Sequence, residues 1–212
     1  MSNGLYFNPE DHEGFTRANL PHWDQGAKFY FVTFRLADSL PRRLVQSIKR
    51  DRMEWKEKHP QPWGKAELRE YATRLSNVLE SRLDAGEGSC VLQRADIRPI
   101  VEKTLMHFEK DRTEMWAYVV MPNHVHAVFR LLDDAALGDL LKSWKSYSAK
   151  VINKLLGRRG ALWDKESWDR LVRSPEHGAH YVQYILDNPK GMSWLKAWSR
   201  TRPQKFGVYE GS

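Results

Sequence analysis

Two histidines, His124 and His126, lie two residues apart inside an apolar, β-favouring segment that runs from residue 116 to residue 130. In a β-strand, side chains at positions i and i+2 point to the same face of the sheet. Both imidazoles are therefore expected on one face, with Val125 on the other. Two imidazoles on one face are a common beginning of a metal site. The alternative is that both are ordinary half-buried histidines of a strand.

Two imidazoles are too few for a tight metal site, so a third protein ligand is expected. A predicted helix further along the chain carries His177, His180, Tyr181, Tyr184 and Asn188. Tyr184 and Asn188 are four residues apart and hence share one helix face. If this helix docks on the sheet, it could present Asn188 as an oxygen ligand with Tyr184 beside it. Mixed nitrogen and oxygen ligation with open positions admits Mg²⁺ or Mn²⁺.

A tyrosine next to a metal-bound phosphate has a specific use. Its phenolate can attack phosphorus and form a phosphotyrosyl intermediate, which is covalent nucleophilic catalysis. The metal would polarise a non-bridging oxygen and orient the scissile group. Other interpretations stay open at this point, because Tyr184 could be a core or surface residue. Asn188, which precedes Pro189, could be a conventional helix terminator.

The composition limits the class of protein. A chain of 212 residues is long enough for one domain, and 41% hydrophobic residues permit a real core. The formal net charge of +7 favours an anionic partner, most simply nucleic acid, over the alternative of a merely basic protein. Cys90 is the single cysteine of the chain, which excludes a disulfide framework or a multi-cysteine zinc site.

Membrane and export signals are not apparent in the sequence. No apolar run approaches the ~20 residues that span a membrane. The first ten residues lack the charged region and apolar core of a signal peptide. The default prediction is therefore a cytoplasmic protein without membrane contact.

The hydrophobic patterns predict alternating strands and helices. In chain order we expect an irregular arm (1–27), a strand (28–35), a polar helix (to about 58), a second polar helix (65–85), a helix (97–111), a hairpin (114–121 and 124–132), an amphipathic helix (137–156), a strand or strand pair (163–173) and a last helix ending near Asn188. Ser39, Asp96 and Ser174 are the predicted helix caps.

This order suits an antiparallel or mixed sheet with helices on one face, an α+β sandwich of the ferredoxin-like kind. Residues 42–88 look like a helical insert with both signs of charge, to which we assign no function. The predicted organisation is an N-terminal arm (1–27), one domain (28–189) and a basic C-terminal tail (190–212).

Two motifs in this order resemble a known family. Met121-Pro-Asn-His-Val-His126 resembles the His-hydrophobe-His motif of HUH-type single-strand nucleases. Tyr184-Ile-Leu-Asp-Asn-Pro189 resembles the Tyr-Ile-x-x-Asn-Pro signature of REP-associated tyrosine transposases. Between them, Leu162-Trp-Asp and Trp168-Asp-Arg-Leu-Val-Arg173 are similar to a further block of that family. The resemblance covers roughly residues 20–190.

The resemblance implies a ferredoxin-like HUH core in which His124, His126 and Asn188 bind Mg²⁺ or Mn²⁺ and Tyr184 is the nucleophile. Such enzymes cleave single-stranded DNA, join the tyrosine to the 5′-phosphate, release a 3′-OH and rejoin without ATP. The implied partner is single-stranded DNA with REP hairpins, at the bacterial nucleoid. The resemblance leaves open whether the protein is a homodimer in which Tyr184 serves the other chain's histidines.

The chain departs from the family pattern at two places. Lys190-Gly-Met-Ser-Trp-Leu follows Asn-Pro where the family often has Val-Lys or Val-Arg and then Gly-Leu, and Asp164 stands where Gln is usual. Neither departure touches the four proposed site residues. Two alternative functions stay open: a domesticated hairpin-DNA-binding protein without cleavage activity, and a metal-dependent hydrolase that uses water instead of tyrosine.

Basic residues interleaved with tryptophan predict the DNA-binding surface, because cations neutralise phosphates and indoles stack on unpaired bases. The candidates lie after the amphipathic helix, in the resemblance block and in the tail. They are Arg158, Arg159, Arg170, Arg173, Lys190, Trp194, Lys196 and Trp198. Lysines of the amphipathic helix, Lys145 among them, are weaker candidates.

Overall fold

The computed structural model describes residues 4–8, 14–17, 21–59, 67, 70, 83, 86–132 and 135–207. The predicted helix at 65–85 lies largely outside these residues. The elements are β1 (Gly14–Arg17), β2 (Pro21–Asp24), β3 (Phe29–Leu36), α1 (Arg42–Lys58), a 3₁₀ turn (Val91–Gln93), α2 (Arg98–Met106), β4 (Thr113–Val120), β5 (His124–Leu131), α3 (Leu137–Leu155), β6 (Trp163–Leu171), α4 (Pro175–Asp187), β7 (Trp198–Ser199) and a second 3₁₀ turn (Pro203–Lys205).

The central sheet has five strands in the order β6-β3-β5-β4-β7, and every neighbouring pair is antiparallel. Its four long strands and the helices α2 and α3 follow the chain order β-α-β-β-α-β, which is the ferredoxin-like arrangement. The predicted α+β class is therefore confirmed. Strands β1 and β2 form a separate antiparallel pair.

Helices cover both faces of this sheet. Helices α2 and α3 pack on one face, where Leu105 and Trp144 meet Phe34 in one core. Helix α4 packs on the other face, where Val182 meets Phe31 in a second core. The prediction of helices on one face is wrong, because every residue of β3 is buried and both faces of this strand need a cover.

Both ends of the chain add to the domain. Tyr6 is buried in the core under α4, and the Phe7 amide donates to the Val172 carbonyl at 2.9 Å. Strands β1 and β2 occupy part of the region predicted as an irregular arm. After α4 the chain returns across the sheet, β7 pairs with β4, and Leu195 and Phe206 are buried in the same core as Tyr6.

The predicted hairpin and the last two helices are confirmed to within one or two residues. Ser174 caps α4, since its side chain accepts from the His177 amide at 3.2 Å. The other two predicted caps are wrong. Ser39 donates to the Leu36 carbonyl instead, at 2.8 Å. Asp96 pairs with Arg94, and α2 ends at residue 106 rather than 111.

Candidate active site

Strand β5 places both imidazoles on the sheet face that α4 covers. His124 and His126 are fully buried, while Val125 points into the core on the opposite face. The two Nε2 atoms are 2.9 Å apart, and the rings meet edge to face with centroids 4.6 Å apart. The prediction that both imidazoles share one face is confirmed. The two rings approach each other through the same atom, Nε2.

A side-chain oxygen lies against the other nitrogen of each imidazole. Asn123 Oδ1 is 2.7 Å from His124 Nδ1, and the Asn123 amide nitrogen donates to the Glu87 carbonyl at 2.9 Å. Because a carbonyl only accepts, this contact sets the orientation of the amide. The His124 Nδ1 must then be the donor, and its Nε2 carries the lone pair that faces His126.

Thr33 Oγ1 holds the second imidazole, 2.7 Å from His126 Nδ1. The strand register brings the two residues together, since Thr33 on β3 is paired directly with His126 on β5. A hydroxyl can donate or accept, so Thr33 suits either tautomer of His126. Sequence reasoning missed both partners of the pair. Register between distant strands is not visible in one sequence, and the position of Asn123 before His124 does not indicate that its side chain contacts the imidazole.

Burial keeps the pair uncharged. It lowers the pKa of His124 to about 3. Burial also lowers the pKa of His126 well below its usual range, with a further contribution from neighbouring His124. Both rings are therefore neutral at neutral pH, which is the form of histidine that binds a metal.

Tyr184 reaches the pair from helix α4 of the same chain. Its hydroxyl is 3.5 Å from His126 Nε2, and the two rings meet edge to face at 5.2 Å. Aromatic neighbours hold this arrangement. Phe31 stacks on His126 at 5.6 Å, and Tyr181 stacks on the same Phe31 at 4.2 Å. The helix begins at the Ser174 cap and buries its Tyr181 side in the core.

Asn188 is the residue that ends α4. Its side-chain nitrogen donates to the Tyr184 carbonyl at 3.1 Å rather than to either imidazole. Among the described residues, no group of three or more His, Cys, Asp or Glu side chains could hold a metal ion. A third ligand from these residues would therefore be an amide or hydroxyl oxygen, as Asn188 could offer.

An ion pair lies beside the histidines. Arg35 faces His124 across β3 and β5, and its Nη2 donates to Asp164 Oδ2 at 2.6 Å. The Arg35 side chain is only 7% exposed, and its Nη1 donates to Ser39 Oγ at 3.1 Å. The departure from the family's Gln at position 164 therefore supplies the counter-charge for a nearly buried guanidinium.

Two of the basic candidates near α3, Arg158 and Lys145, are held by contacts within the fold. Arg158 donates through Nε to Asn153 Oδ1 at 2.9 Å, whereas Arg159 is exposed. The Lys145 ammonium lies 3.0 Å from the Glu166 carbonyl and also donates to the carbonyls of Asp164 and Lys165. Burial lowers the pKa of Lys145 to about 8. Lys145 therefore points into the protein rather than to a solvated helix face.

The remaining candidates differ in exposure. Arg170 is half-buried on β6, and Arg173 is exposed with its guanidinium 6.0 Å from the Phe7 ring. Lys196 is exposed, whereas Lys190 pairs with Asp187 at 3.0 Å.

The two candidate tryptophans occupy different environments. Trp198 lies in strand β7 and stacks on Tyr118, with centroids 5.4 Å apart. Trp194 is 45% exposed, and the Arg98 guanidinium lies 4.6 Å from its ring centroid. None of the helices within the described ranges is both long and apolar enough to cross a membrane.

Comparison with known proteins agrees with the resemblance drawn from the two motifs. The family model described as "Transposase IS200 like" matches residues 91–187, a segment that contains both histidines and Tyr184. The REP-associated tyrosine transposase of Escherichia coli (strain K12) is 26% identical over 98 residues, which are 46% of this chain and 57% of that relative. The match thus spans little more than half of the relative's length.

A solved structure of a REP-associated tyrosine transposase bound to a REP hairpin is also similar. It aligns with a TM-score of 0.47 at 17% sequence identity, over 80% of this chain and 70% of that one. The family model and the Escherichia coli relative, rather than this structural match, confirm the resemblance of the chain to the IS200-like transposases.

Proposed function

We propose that this chain is a metal-dependent tyrosine transposase or endonuclease that cleaves and rejoins single-stranded DNA at REP-type hairpins. The observation that carries the proposal is the Tyr184 hydroxyl, 3.5 Å from His126 Nε2, which is itself 2.9 Å from His124 Nε2. The match of residues 91–187 to the IS200-like transposases and the name of the Escherichia coli relative support it. This substrate would place the protein at the bacterial nucleoid.

The donor set of the site fits a divalent metal. His124 and His126 present converging Nε2 atoms, their Nδ1 atoms are held by oxygens, and burial keeps both rings neutral. These two residues would hold Mg²⁺ or Mn²⁺, with Asn188 as the third ligand. When bound, the metal would supply Lewis-acid polarisation of a non-bridging phosphate oxygen.

The chain's own residues then carry the covalent chemistry. The Tyr184 oxygen attacks phosphorus, the bond between phosphorus and the 3′ oxygen breaks, and the phenol proton ends on that departing oxygen. The product is a 5′-phosphotyrosine and a free 3′-OH. A second 3′-OH attacks the phosphotyrosine and restores Tyr184. One phosphodiester is exchanged for another, so no ATP is needed. In this proposal Tyr184 acts on a phosphate held at the histidines of its own chain, and the 3.5 Å between its hydroxyl and His126 Nε2 supports that assignment.

The decisive experiment is a search for the covalent intermediate. The protein is incubated with Mg²⁺ or Mn²⁺ and hairpin-bearing single strands labelled at the 3′ end, since the fragment downstream of the cleavage stays on the protein. We expect a denaturant-stable protein–DNA band with the natural protein and none with Tyr184→Phe. Tyr181→Phe is the matched control, because this tyrosine stacks on Phe31 one helical turn away; it should form the band.

Other results would point to the alternative functions. A band formed by Tyr184→Phe would show that the nucleophile is assigned wrongly. Tight hairpin binding without cleavage under either metal would favour the binding protein. Cleavage that Tyr184→Phe retains and His126→Ala abolishes would favour hydrolysis by water.

The third ligand needs a separate measurement. Calorimetric titration with Mn²⁺ should show binding that His124→Ala abolishes. Asn188→Ala should weaken binding about 10-fold or more, and Asn188→Asp should restore it because a carboxylate oxygen replaces the amide oxygen. Unchanged affinity in Asn188→Ala would exclude Asn188 as a ligand without affecting the assignment of Tyr184.

A further inference from the structure

We propose that Trp194 and Arg98 form a stacking platform for one unpaired nucleobase of the DNA substrate. This inference rests on the proposed function only in that the ligand is single-stranded DNA. It distinguishes Trp194 from Trp198 and assigns Arg98, on helix α2, to the DNA-binding surface.

Arg98 contacts both the ring and the backbone of Trp194. The Arg98 guanidinium lies 4.6 Å from the centroid of the Trp194 ring and donates through Nη1 to the Trp194 carbonyl at 3.3 Å. Its Nη2 donates to the Gln93 carbonyl at 2.9 Å, which ties the arginine to the preceding turn. The next residue, Leu195, is 4% exposed in the core under α4. The indole is therefore fixed in position before any ligand arrives.

One face of the indole is available to a ligand. The cation covers one face of the ring, and the side chain is nevertheless 45% exposed. Exposure of this size fits a ring with one covered face and one face in solvent. A flat, pre-positioned aromatic surface loses little conformational entropy when a second ring stacks on it. Trp198 offers no such surface, since it is half-buried against the core under α2 and α3 in addition to its stacking on Tyr118.

A chain of contacts connects the platform to the turn that precedes His124. The turn that Arg98 contacts includes Leu92, whose amide donates to the Pro122 carbonyl at 3.1 Å. The next residue, Asn123, is the one that holds His124 Nδ1. Four residues thus connect the platform to the candidate active site through backbone and side-chain contacts.

The charge around the platform favours a nucleic-acid strand over an apolar partner. Both side-chain hydrogen bonds of Arg98 go to carbonyl oxygens, and within the described ranges no carboxylate pairs with it. Lys196, two residues after Trp194, is exposed. Stacking on tryptophan next to cations that contact the backbone is the usual way in which proteins bind unpaired bases.

The test is equilibrium binding of a labelled hairpin with single-stranded flanks, in EDTA so that no cleavage can occur. Each flanking position is replaced in turn by an abasic nucleotide. For the natural protein, we expect one abasic position to weaken binding about 10-fold. Trp194→Ala should weaken binding of the intact strand by a similar factor. In this variant the same abasic position should have no further effect, whereas Trp194→Phe should keep most of the affinity.

Tyr147→Ala is the matched control, because Tyr147 is a 60% exposed aromatic residue on α3 that belongs neither to the platform nor to the candidate active site. It should leave the affinity unchanged. The proposal is overturned if Trp194→Ala binds the intact strand with the natural affinity. It is also overturned if the affinity lost in Trp194→Ala adds fully to the affinity lost at every abasic position. The covalent-adduct assay is independent. An adduct without this coupling overturns the platform alone, and coupling without an adduct overturns only the cleavage proposal.

Discussion

The two faces of the central sheet are both buried, yet they differ in what the same strands place there. On the face under α2 and α3, alternate residues of β3 and β5, among them Phe34 and Phe129, are apolar and pack around Trp144. On the face under α4, the intervening positions include Thr33 and His126 next to Phe31. Burial is thus common to both faces, and the α4 face is the one that carries the two imidazoles with their polar partners.

The difference shows how a buried face can carry chemistry. A polar group removed from water is costly unless it has a hydrogen-bonding partner. Thr33 and Asn123 supply those partners for the two imidazoles. The same burial that would penalise an ionised histidine keeps His124 and His126 neutral. We therefore expect substitutions on the α3 face to act on stability and those on the α4 face to act on binding.

The largest expected effect on stability lies on the apolar face. Trp144→Ala removes a side chain that is 1% exposed and should lower the free energy of unfolding by about 3–5 kcal/mol. Tyr184→Phe, on the other face, removes only a hydroxyl from a half-buried ring and should change it by less than about 1 kcal/mol. Urea denaturation of the metal-free protein measures both.

A control separates volume from chemistry at this position. Trp144→Phe keeps an aromatic ring and should recover part of the loss. Equal destabilisation by Trp144→Ala and Tyr184→Phe would contradict the division of roles between the two faces.

The next largest effect concerns the ion pair beside the site. Asp164→Ala removes the carboxylate that pairs with the nearly buried Arg35 guanidinium and should cost about 2–3 kcal/mol. Asp164→Gln, which introduces the residue usual in the family, keeps a hydrogen-bond acceptor and should cost less. Thermal melting compares the variants. Asp96→Ala breaks the exposed pair with Arg94 and should have no measurable effect on stability. Equal melting temperatures for Asp164→Ala and Asp96→Ala would refute the argument.

Local periodicity explains what could be predicted from the sequence. The alternation of side chains in β5 places both histidines on one face, and the 3.6-residue period identifies α3 and α4. The spacing of Tyr184 and Asn188 likewise puts them on one helix turn, with Asn188 contacting the Tyr184 carbonyl. These properties depend only on residues a few positions apart.

The parts that could not be predicted depend on pairing across the chain. Thr33 contacts His126, which is 93 residues away in the sequence, and Arg35 contacts Asp164, which is 129 residues away. Tertiary packing also decides which face α4 covers and where Phe206 is buried. Binary patterns in one sequence carry no information about register or about docking of one element on another. Thr33 and Asn123 could therefore be recognised only from the fold.

A smaller effect is expected from Thr33→Val, which keeps the shape of the side chain and removes its hydroxyl. His126 Nδ1 would lose the acceptor that supports its metal-binding tautomer. Loss of such a partner typically lowers metal affinity about 10–100-fold, which calorimetry with Mn²⁺ can measure. Thr104→Val is the control, because the Thr104 hydroxyl donates to the Ile100 carbonyl within α2, on the other face of the sheet. A Thr33→Val protein with natural Mn²⁺ affinity would show that the hydroxyl does not support the site.

The smallest effect compares one glycine in the helix on each face. Alanine is favoured over glycine inside a helix by about 1 kcal/mol. At Gly138 in α3, a Cβ would meet no atom within 4 Å, so Gly138→Ala should be neutral or stabilising. At Gly178 in α4, a Cβ would overlap the Phe206 ring. Overpacking of this kind costs about 1–3 kcal/mol, which exceeds the gain in helix propensity.

Gly178→Ala should therefore destabilise the protein by about 1 kcal/mol while Gly138→Ala does not, as chemical denaturation can determine. Combining Gly178→Ala with Phe206→Leu tests the cause, because the smaller side chain makes room for the new methyl group. The double variant should be less destabilised than the sum of the two single variants predicts. Additive losses would mean that the close approach of Phe206 to α4 does not set the requirement for glycine.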